Sequence, residues 1–239
     1  MDLRSIMTFD CHIWLVGLPD AMGERLRAMP AAKGLSLEFL SYDALPAPSG
    51  RAPECIIFAL APGLAAKARE RCAEDTMLVA WRDAERPEDE PELSLVDELW
   101  DAPSEAMLAH RFAWLQEHLW RRYHAWLCHN FWQTTINMVP DLMWYKNLDG
   151  LHLEVNNGLA KTVGRTRDDC RGQRHGYIWG LSPEEYEKGE YACRESDQQV
   201  INSGQLMIGG EQVLENGELR DLKTFKTPLF DKDGKIFGT

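Results

Sequence analysis

Leu142-Met143-Trp144-Tyr145-Lys146-Asn147-Leu148-Asp149-Gly150-Leu151-His152-Leu153-Glu154-Val155-Asn156 is the stretch that decides the fold. Aromatic and apolar residues fill its first run. Asn147-Leu148-Asp149-Gly150 then reads as a turn, with Gly150 free to take a positive φ. The second run alternates Leu151, Leu153 and Val155 against His152 and Glu154, which predicts a strand with one apolar face. Asn156 stands where a helix can begin, its side-chain oxygen placed to cap free N–H groups.

Working outward, Pro140-Asp141 precedes this hairpin. Far downstream come Lys226-Thr227-Pro228-Leu229, then Asp231-Lys232-Asp233-Gly234, then Lys235-Ile236-Phe237-Gly238. The opening, from Pro140 through Lys146-Asn147, and these closing motifs occur in the order and at the separation of a PAS domain. Residues 136–239 therefore resemble the PAS domains found upstream of bacterial GGDEF diguanylate cyclases and sensor kinases. The resemblance implies a curved, five-stranded antiparallel sheet wrapped by short helices. Its concave face, roofed here by residues 156–203, would hold a small ligand. His175, Trp179, Tyr186, Cys193 and Asp197 are the candidate pocket contacts, each also readable as core or helix surface. In some PAS families a helical His binds haem, and His175 is the single His of the roof. The identity of any cofactor stays open.

Between the matching ends, Asn157–Gly164 reads as a short helix stopped by Gly164. Pro183-Glu184-Glu185-Tyr186 opens another, with Ser182 as cap, running to about Ser203. Residues 205–214 and 219–230 read as antiparallel strands across an Asn216-Gly217 turn. The chain stops inside the strand that starts at Lys235, as expected of a fragment of a longer protein. Gly209-Gly210-Glu211-Gln212-Val213 looks like a cyclase signature, but the second acid and the Phe are absent. A β-bulge or tight strand pair accounts for the two glycines.

The first hundred residues have a different character. Apolar runs at 11–17, 35–40, 54–60, 76–81 and 96–100 alternate with helical stretches at 20–29 and 63–73, Asp20 being a candidate cap. Strands alternating with helices predict a parallel sheet of flavodoxin-like order. This segment resembles, more weakly, a response-regulator receiver domain through Pro53-Glu54-Cys55-Ile56-Ile57-Phe58-Ala59-Leu60-Ala61-Pro62-Gly63. The resemblance puts Ala59 at the phosphoacceptor, Ala102 at the conserved lysine, and Gly17-Leu18 at the acidic pair. Receiver chemistry needs a carboxylate nucleophile and an oxygen-rich Mg²⁺ site. Residues 1–103 thus read as a receiver-like domain without a phosphoacceptor. Some other small α/β domain is the alternative.

Residues 104–138 carry no Gly or Pro and form one long helix. Phe112, Leu115, Leu119 and Trp126 trace one face, and Trp114, Trp120, Leu127 and Phe131 a second stripe. Apolar groups around most of the circumference suggest burial on two sides. A homodimer through this helix fits a signalling linker, and packing on its own chain alone is the plainer reading. His118, His124 and His129 are six and five apart, not the three or four that align metal ligands on a helix.

Overall, 44% of residues are hydrophobic and 27% charged, as in globular proteins. Residues 1–103 carry 10 Lys/Arg against 19 Asp/Glu, residues 104–139 carry 3 against 2, and residues 140–239 carry 13 against 17. A net charge of −12 gives no electrostatic support to nucleic-acid binding. No apolar run reaches membrane-spanning length. Six scattered cysteines with no CxxC pair read as reduced thiols in a cytoplasm. Cys128 with His129, or Cys170 with His175, can be paired on paper, but nothing orients either. No catalytic or metal-binding motif appears. The chain thus reads as a non-enzymatic, cytoplasmic sensory fragment. The expected divisions are a receiver-like 1–103, a helix 104–138 and a PAS domain 139–239. The expected setting is the input region of a diguanylate cyclase. The alternatives are a haem- or small-molecule-binding sensor of a histidine kinase or phosphodiesterase, or a non-sensing dimerisation scaffold. An α/β enzyme is less favoured.

Overall fold

The computed structural model describes residues 2–47, 51–82, 91–182, 184, 195–215 and 218–239. The chain divides into two compact units, Met1–Cys128 and His129–Thr239.

In the first unit five strands form one parallel sheet: β1 (Phe9–Val16), β2 (Leu35–Tyr42), β3 (Cys55–Ala59), β4 (Met77–Arg82) and β5 (Glu98–Asp101). Their spatial order is β2-β1-β3-β4-β5. Helix α1 (Asp20–Ala28) follows β1 and α2 (Leu64–Arg71) follows β3. Asp20 is inside the first turn of α1; the cap position is Pro19, and no side chain caps there. A 3₁₀ turn, Pro91–Leu95, precedes β5. Both sheet faces are covered, so the central strands β3 and β4 are almost continuously apolar, whereas edge strand β2 alternates Leu35, Leu37 and Phe39 with Ser36 and Glu38. On one face Cys11, Ile13, Leu15, Ile57 and Val79 pack with Met22 and Leu26 of α1. On the other, Trp14, Val16, Ile56, Phe58 and Leu78 pack with Ala65 and Ala68 of α2.

Helix α3 runs from Glu105 to Met138. Ser104 starts it, its Oγ accepting from the Met107 N–H at 3.3 Å. Leu108, Phe112, Leu115 and Leu119 complete the first core face at spacings of four, three and four. Gln116 is held by the Ala32 N–H (2.5 Å) and the Pro30 carbonyl (3.2 Å). Phe9 stacks on Tyr123 with ring centroids 4.2 Å apart. Of the two predicted stripes, the first is buried at three of its four positions and the second at two of four. Phe112, Leu115, Leu119, Trp120 and Leu127 are buried, whereas Trp114, Trp126 and Phe131 are 46%, 58% and 56% exposed. Periodicity fixes the angle of a side chain about the helix axis but not how far the covering core extends along it. The three histidines each lie against a tryptophan: His118 on Trp114, His124 on Trp120 and His129 on Trp132.

The second unit holds β6 (Trp144–Lys146), β7 (His152–Val155), α4 (Asn157–Thr162), α5 (Arg167–Cys170) and α6 (His175–Trp179). A helical stretch follows at 195–203. Then come β8 (Met207–Glu215), β9 (Glu218–Lys226), β10 (Leu229–Phe230) and β11 (Ile236–Gly238). The expected single sheet of five antiparallel strands is not what the described residues show. They form three antiparallel pairs: β6 with β7, β8 with β9, and β10 with β11. Lys146 and Thr239 exchange backbone hydrogen bonds of 2.8 and 3.0 Å, and Asn147 bridges Gly238, so β6 lies beside β11. The segment expected as one strand from 219 to 230 is two, because Thr227-Pro228 interrupts it and proline has no N–H for the ladder. Gly209 and Gly210 pair regularly with Thr224 and Lys223, without a bulge.

The deciding hairpin forms as expected. Gly150 has φ 77°, and Asn147 Oδ1 accepts from the Asp149 and Leu151 N–H groups at 3.0 and 2.9 Å. Asn156 caps α4 by accepting from the Leu159 N–H at 3.0 Å. Gly164, at φ 66°, follows the end of α4. The Asn216-Gly217 turn, and Pro183 with the start of its helix, lie outside the described residues.

Candidate functional site

Strand β7 is inverted relative to its expected orientation. His152, Glu154 and Val155 are buried, and Leu153 is 43% exposed. Alternation shows that two faces differ, not which of them is inside. Charged and polar groups can occupy the inner face when each finds a partner there. They do so on neighbouring elements. Lys146 of β6 and Thr224 and Lys226 of β9 are buried, while Phe225 between the last two faces out.

The centre of this polar interior is Asp197, on the helical stretch 195–203. Lys146 Nζ donates to its Oδ2 at 3.0 Å. Lys226 Nζ lies 2.9 Å from Oδ1 as a close ion pair and donates to Ser196 Oγ at 2.6 Å. Burial alone would raise the Asp197 carboxyl. The two ammonium groups outweigh it and hold the carboxyl below its ordinary range, so it stays ionised.

Two histidines adjoin this ionic centre. His152 lies with Nδ1 2.8 Å from the Gln173 carbonyl, which fixes Nδ1 as the protonated nitrogen of a neutral ring. The ring centroid of His175 is 6.3 Å from His152 on one side and 5.9 Å from Trp179 on the other. Burial pushes the His152 imidazole down to about 4. Burial, then the Lys146 charge, pushes His175 down to about 3. Both rings are therefore neutral at pH 7 beside fixed charges.

Of the candidate pocket residues, His175 and Trp179 are in ring contact, and Asp197 carries the ionic centre. Tyr186 and Cys193 lie outside the described residues. Sequence reading missed Lys146, His152 and Lys226 as interior groups. No local signal marked them, because their partners Asp197 and Gln173 are remote in sequence. Cys170 is buried and its thiol is pushed up by burial, so it is not poised as a nucleophile with His175. The sulfur of Cys128 lies 3.7 Å from His124, one turn earlier, and not on its sequence neighbour His129. Among the described residues no group of three or more His, Cys, Asp or Glu is arranged to hold a metal ion. No described helix is long and apolar enough to cross a membrane.

A hairpin that opens into a capped helix, and a last strand that returns beside the first, occupy one segment of the chain. Residues 136–239 match the PAS fold. PAS is a sensory fold typical of signal-transduction proteins, not an enzyme family. Among solved structures, the PAS domain of Bordetella pertussis BvgS is 19% identical, with a TM-score of 0.39; the match covers 46% of this chain and 79% of that one. VqmA bound to DPO is 20% identical, with a TM-score of 0.39, over 44% of this chain and 52% of its own. A Vibrio cholera VqmA–ligand–DNA complex is 20% identical, with a TM-score of 0.39, over 44% of this chain and 45% of its own. The match thus spans about half the length of the VqmA chains. No curated protein matches the chain.

Proposed function

We propose that the chain is the cytoplasmic input region of a bacterial signal-transduction protein, a diguanylate cyclase by the habit of the domains it resembles. In this reading the PAS domain takes a small polar ligand at its interior cluster. The observation that carries it is the Lys146–Asp197–Lys226 centre flanked by two neutral histidines. Such a centre is costly to bury, and a purely structural interior does better with apolar groups of the same shape. Its ammonium groups, carboxylate and imidazoles are the donor and acceptor types a polar ligand uses. A ligand that prefers one arrangement of these groups shifts the domain by its difference in affinity for the two states, and by no more.

Residues 1–103 are the receiver-like partner in this reading, supported by five parallel strands in the order β2-β1-β3-β4-β5. Ala59 ends β3 where a phosphoacceptor would stand, and Gly17 lies beside it. Helix α3 supplies the homodimer contact, supported by the exposed Met107, Trp114 and Trp126 along it. A haem on His175 is less well supported, because that ring is already engaged by His152 and Trp179.

Native mass spectrometry of the whole chain, purified from its source, tests the ligand. The expected result is a retained non-peptide mass that Lys146→Met, the milder change at the ionic centre, releases from a chain that circular dichroism shows still folded. A chain that carries no added mass, and whose melting temperature no small polar metabolite moves, would favour a second reading. That reading is a scaffold, and it too has support: Lys146 and Lys226 already flank Asp197 as close ion pairs.

A further inference from the structure

Away from the interior cluster, the second unit carries an open groove of about 810 Å³. Its walls are of two kinds. Met138, Val139, Pro140 and Ala160 give an apolar side. Lys161, Arg165, Arg167 and Arg171 give a cationic one, with Asp168 the single carboxylate among the lining residues. The volume is that of a small-molecule site.

The four cations differ in how they are held. Arg167 and Arg171 share Glu154, at 3.0 and 2.7 Å, and Arg171 also pairs with Asp168. Arg165 is fixed differently. Its Nε donates to the Ile178 carbonyl at 3.0 Å and its Nη2 to the Tyr177 carbonyl at 2.9 Å, with the guanidinium 4.4 Å from the centre of the Tyr177 ring. Carbonyls and a ring orient a guanidinium without cancelling its charge. Lys161 is exposed, and among the described residues no carboxylate lies within ion-pair distance of it. Glu154 and Asp168 thus balance two of the four charges; Lys161 and Arg165 supply an excess of up to two positive charges, with Asp169 offsetting part of that of Arg165.

We infer that this groove is an anion site for a small organic phosphate, separate from the interior cluster. A phosphomonoester carries between one and a half and two negative charges at neutral pH, about the excess present. A lone carboxylate would leave one cation unmatched. The two carbonyls take the Nε and Nη2 edge of Arg165 and hold the guanidinium in place, which leaves its Nη1 end for a phosphoryl oxygen. The apolar wall suits the organic body of the ligand, which free phosphate lacks.

Titration calorimetry of the whole chain with adenosine monophosphate, and separately with inorganic phosphate, tests this. The nucleotide should bind, tighter than phosphate, and weaken as salt rises. Lys161→Glu, at an exposed position, should weaken binding by about threefold or more. Asp168→Asn, which removes the one lining carboxylate and frees the Nη1 arm of Arg171 while Glu154 still holds the other, should tighten it by a similar factor. Absence of nucleotide binding at millimolar concentration would overturn the proposal. So would equal affinities for wild type, Lys161→Glu and Asp168→Asn. Phosphate binding as tightly as the nucleotide would overturn the part assigned to the apolar wall.

Discussion

Asn156 is fully buried and its amide is used completely. Its two Nδ2 N–H groups are shared among the carbonyls of Ile136, Val139 and Asp141 at 3.0, 3.1 and 2.8 Å. Its Oδ1 accepts from the N–H groups of Met143 and Leu159 at 3.1 and 3.0 Å. Alanine would strand several buried backbone groups, each costing about 1–3 kcal/mol. Asn156→Ala is expected to destabilise the PAS domain by roughly 3 kcal/mol or more, read from urea unfolding. Asn156→Asp should be no better, because a carboxylate would face three carbonyl oxygens. At the ionic centre the direction is equally definite. Asp197→Asn leaves two buried ammonium groups without their carboxylate, whereas Lys146→Met leaves Asp197 still paired with Lys226. The first should cost more than the second, with about 3–5 kcal/mol as the scale for breaking a buried pair. A larger loss for Lys146→Met would mean that the charges are not shared as the distances imply.

Among the elements, helix α3 separates packing from mere hydrophobicity. Leu115 is fully buried and Trp126 is 58% exposed, though both were assigned to one face. Leu115→Ala should therefore cost about 2–5 kcal/mol in unfolding free energy. Trp126→Ala should stay within about 0.5 kcal/mol for the monomer. If it instead lowers the dimer fraction in light scattering, the exposed indole is an intermolecular contact. The central strands of the parallel sheet were legible because burial on both faces writes itself as an unbroken apolar run, as in Cys55-Ile56-Ile57-Phe58, and edge strand β2 from its alternation. The hairpin at 142–155 was legible from its turn chemistry, which needs only local rules. Strand β7 was misread in orientation because His152 and Glu154 owe their burial to partners remote in sequence: Gln173 for one, Arg167 and Arg171 for the other. No local pattern announces such partners. The same reason hid Lys146 and Lys226, whose common partner Asp197 lies 51 and 29 positions away.

For the molecule as a whole, the interior histidines set a pH dependence. Their folded values, about 4 for His152 and about 3 for His175, lie below the ordinary 6.5. A lowered imidazole favours the fold while it stays neutral. Its contribution is complete above pH 6.5 and is lost as the pH falls from there toward 4, because the unfolded chain takes up protons first. The limit is about 1.4 kcal/mol per pH unit for each ring, and the half-buried His175 contributes less. The urea midpoint of the transition that reports the PAS domain should fall between pH 7 and pH 5, and His152→Gln should flatten that slope. Unfolding of the whole chain should not be a single two-state step, since two compact units each carry their own core. Probes in Trp14 and Trp144 are expected to give different midpoints, and coincident ones would show that the units melt together.

The amide of Asn156 also acts as a fastener without play. Three carbonyls near the end of a long helix and two N–H groups from a strand start and a helix start meet on one side chain. A twist or slide at residues 136–141 must either drag β6 and α4 along or tear that fastener open. Slow hydrogen exchange at Met143 and Leu159 is then a direct gauge of whether that fastener is closed, and any ligand or variant that speeds both together has opened it.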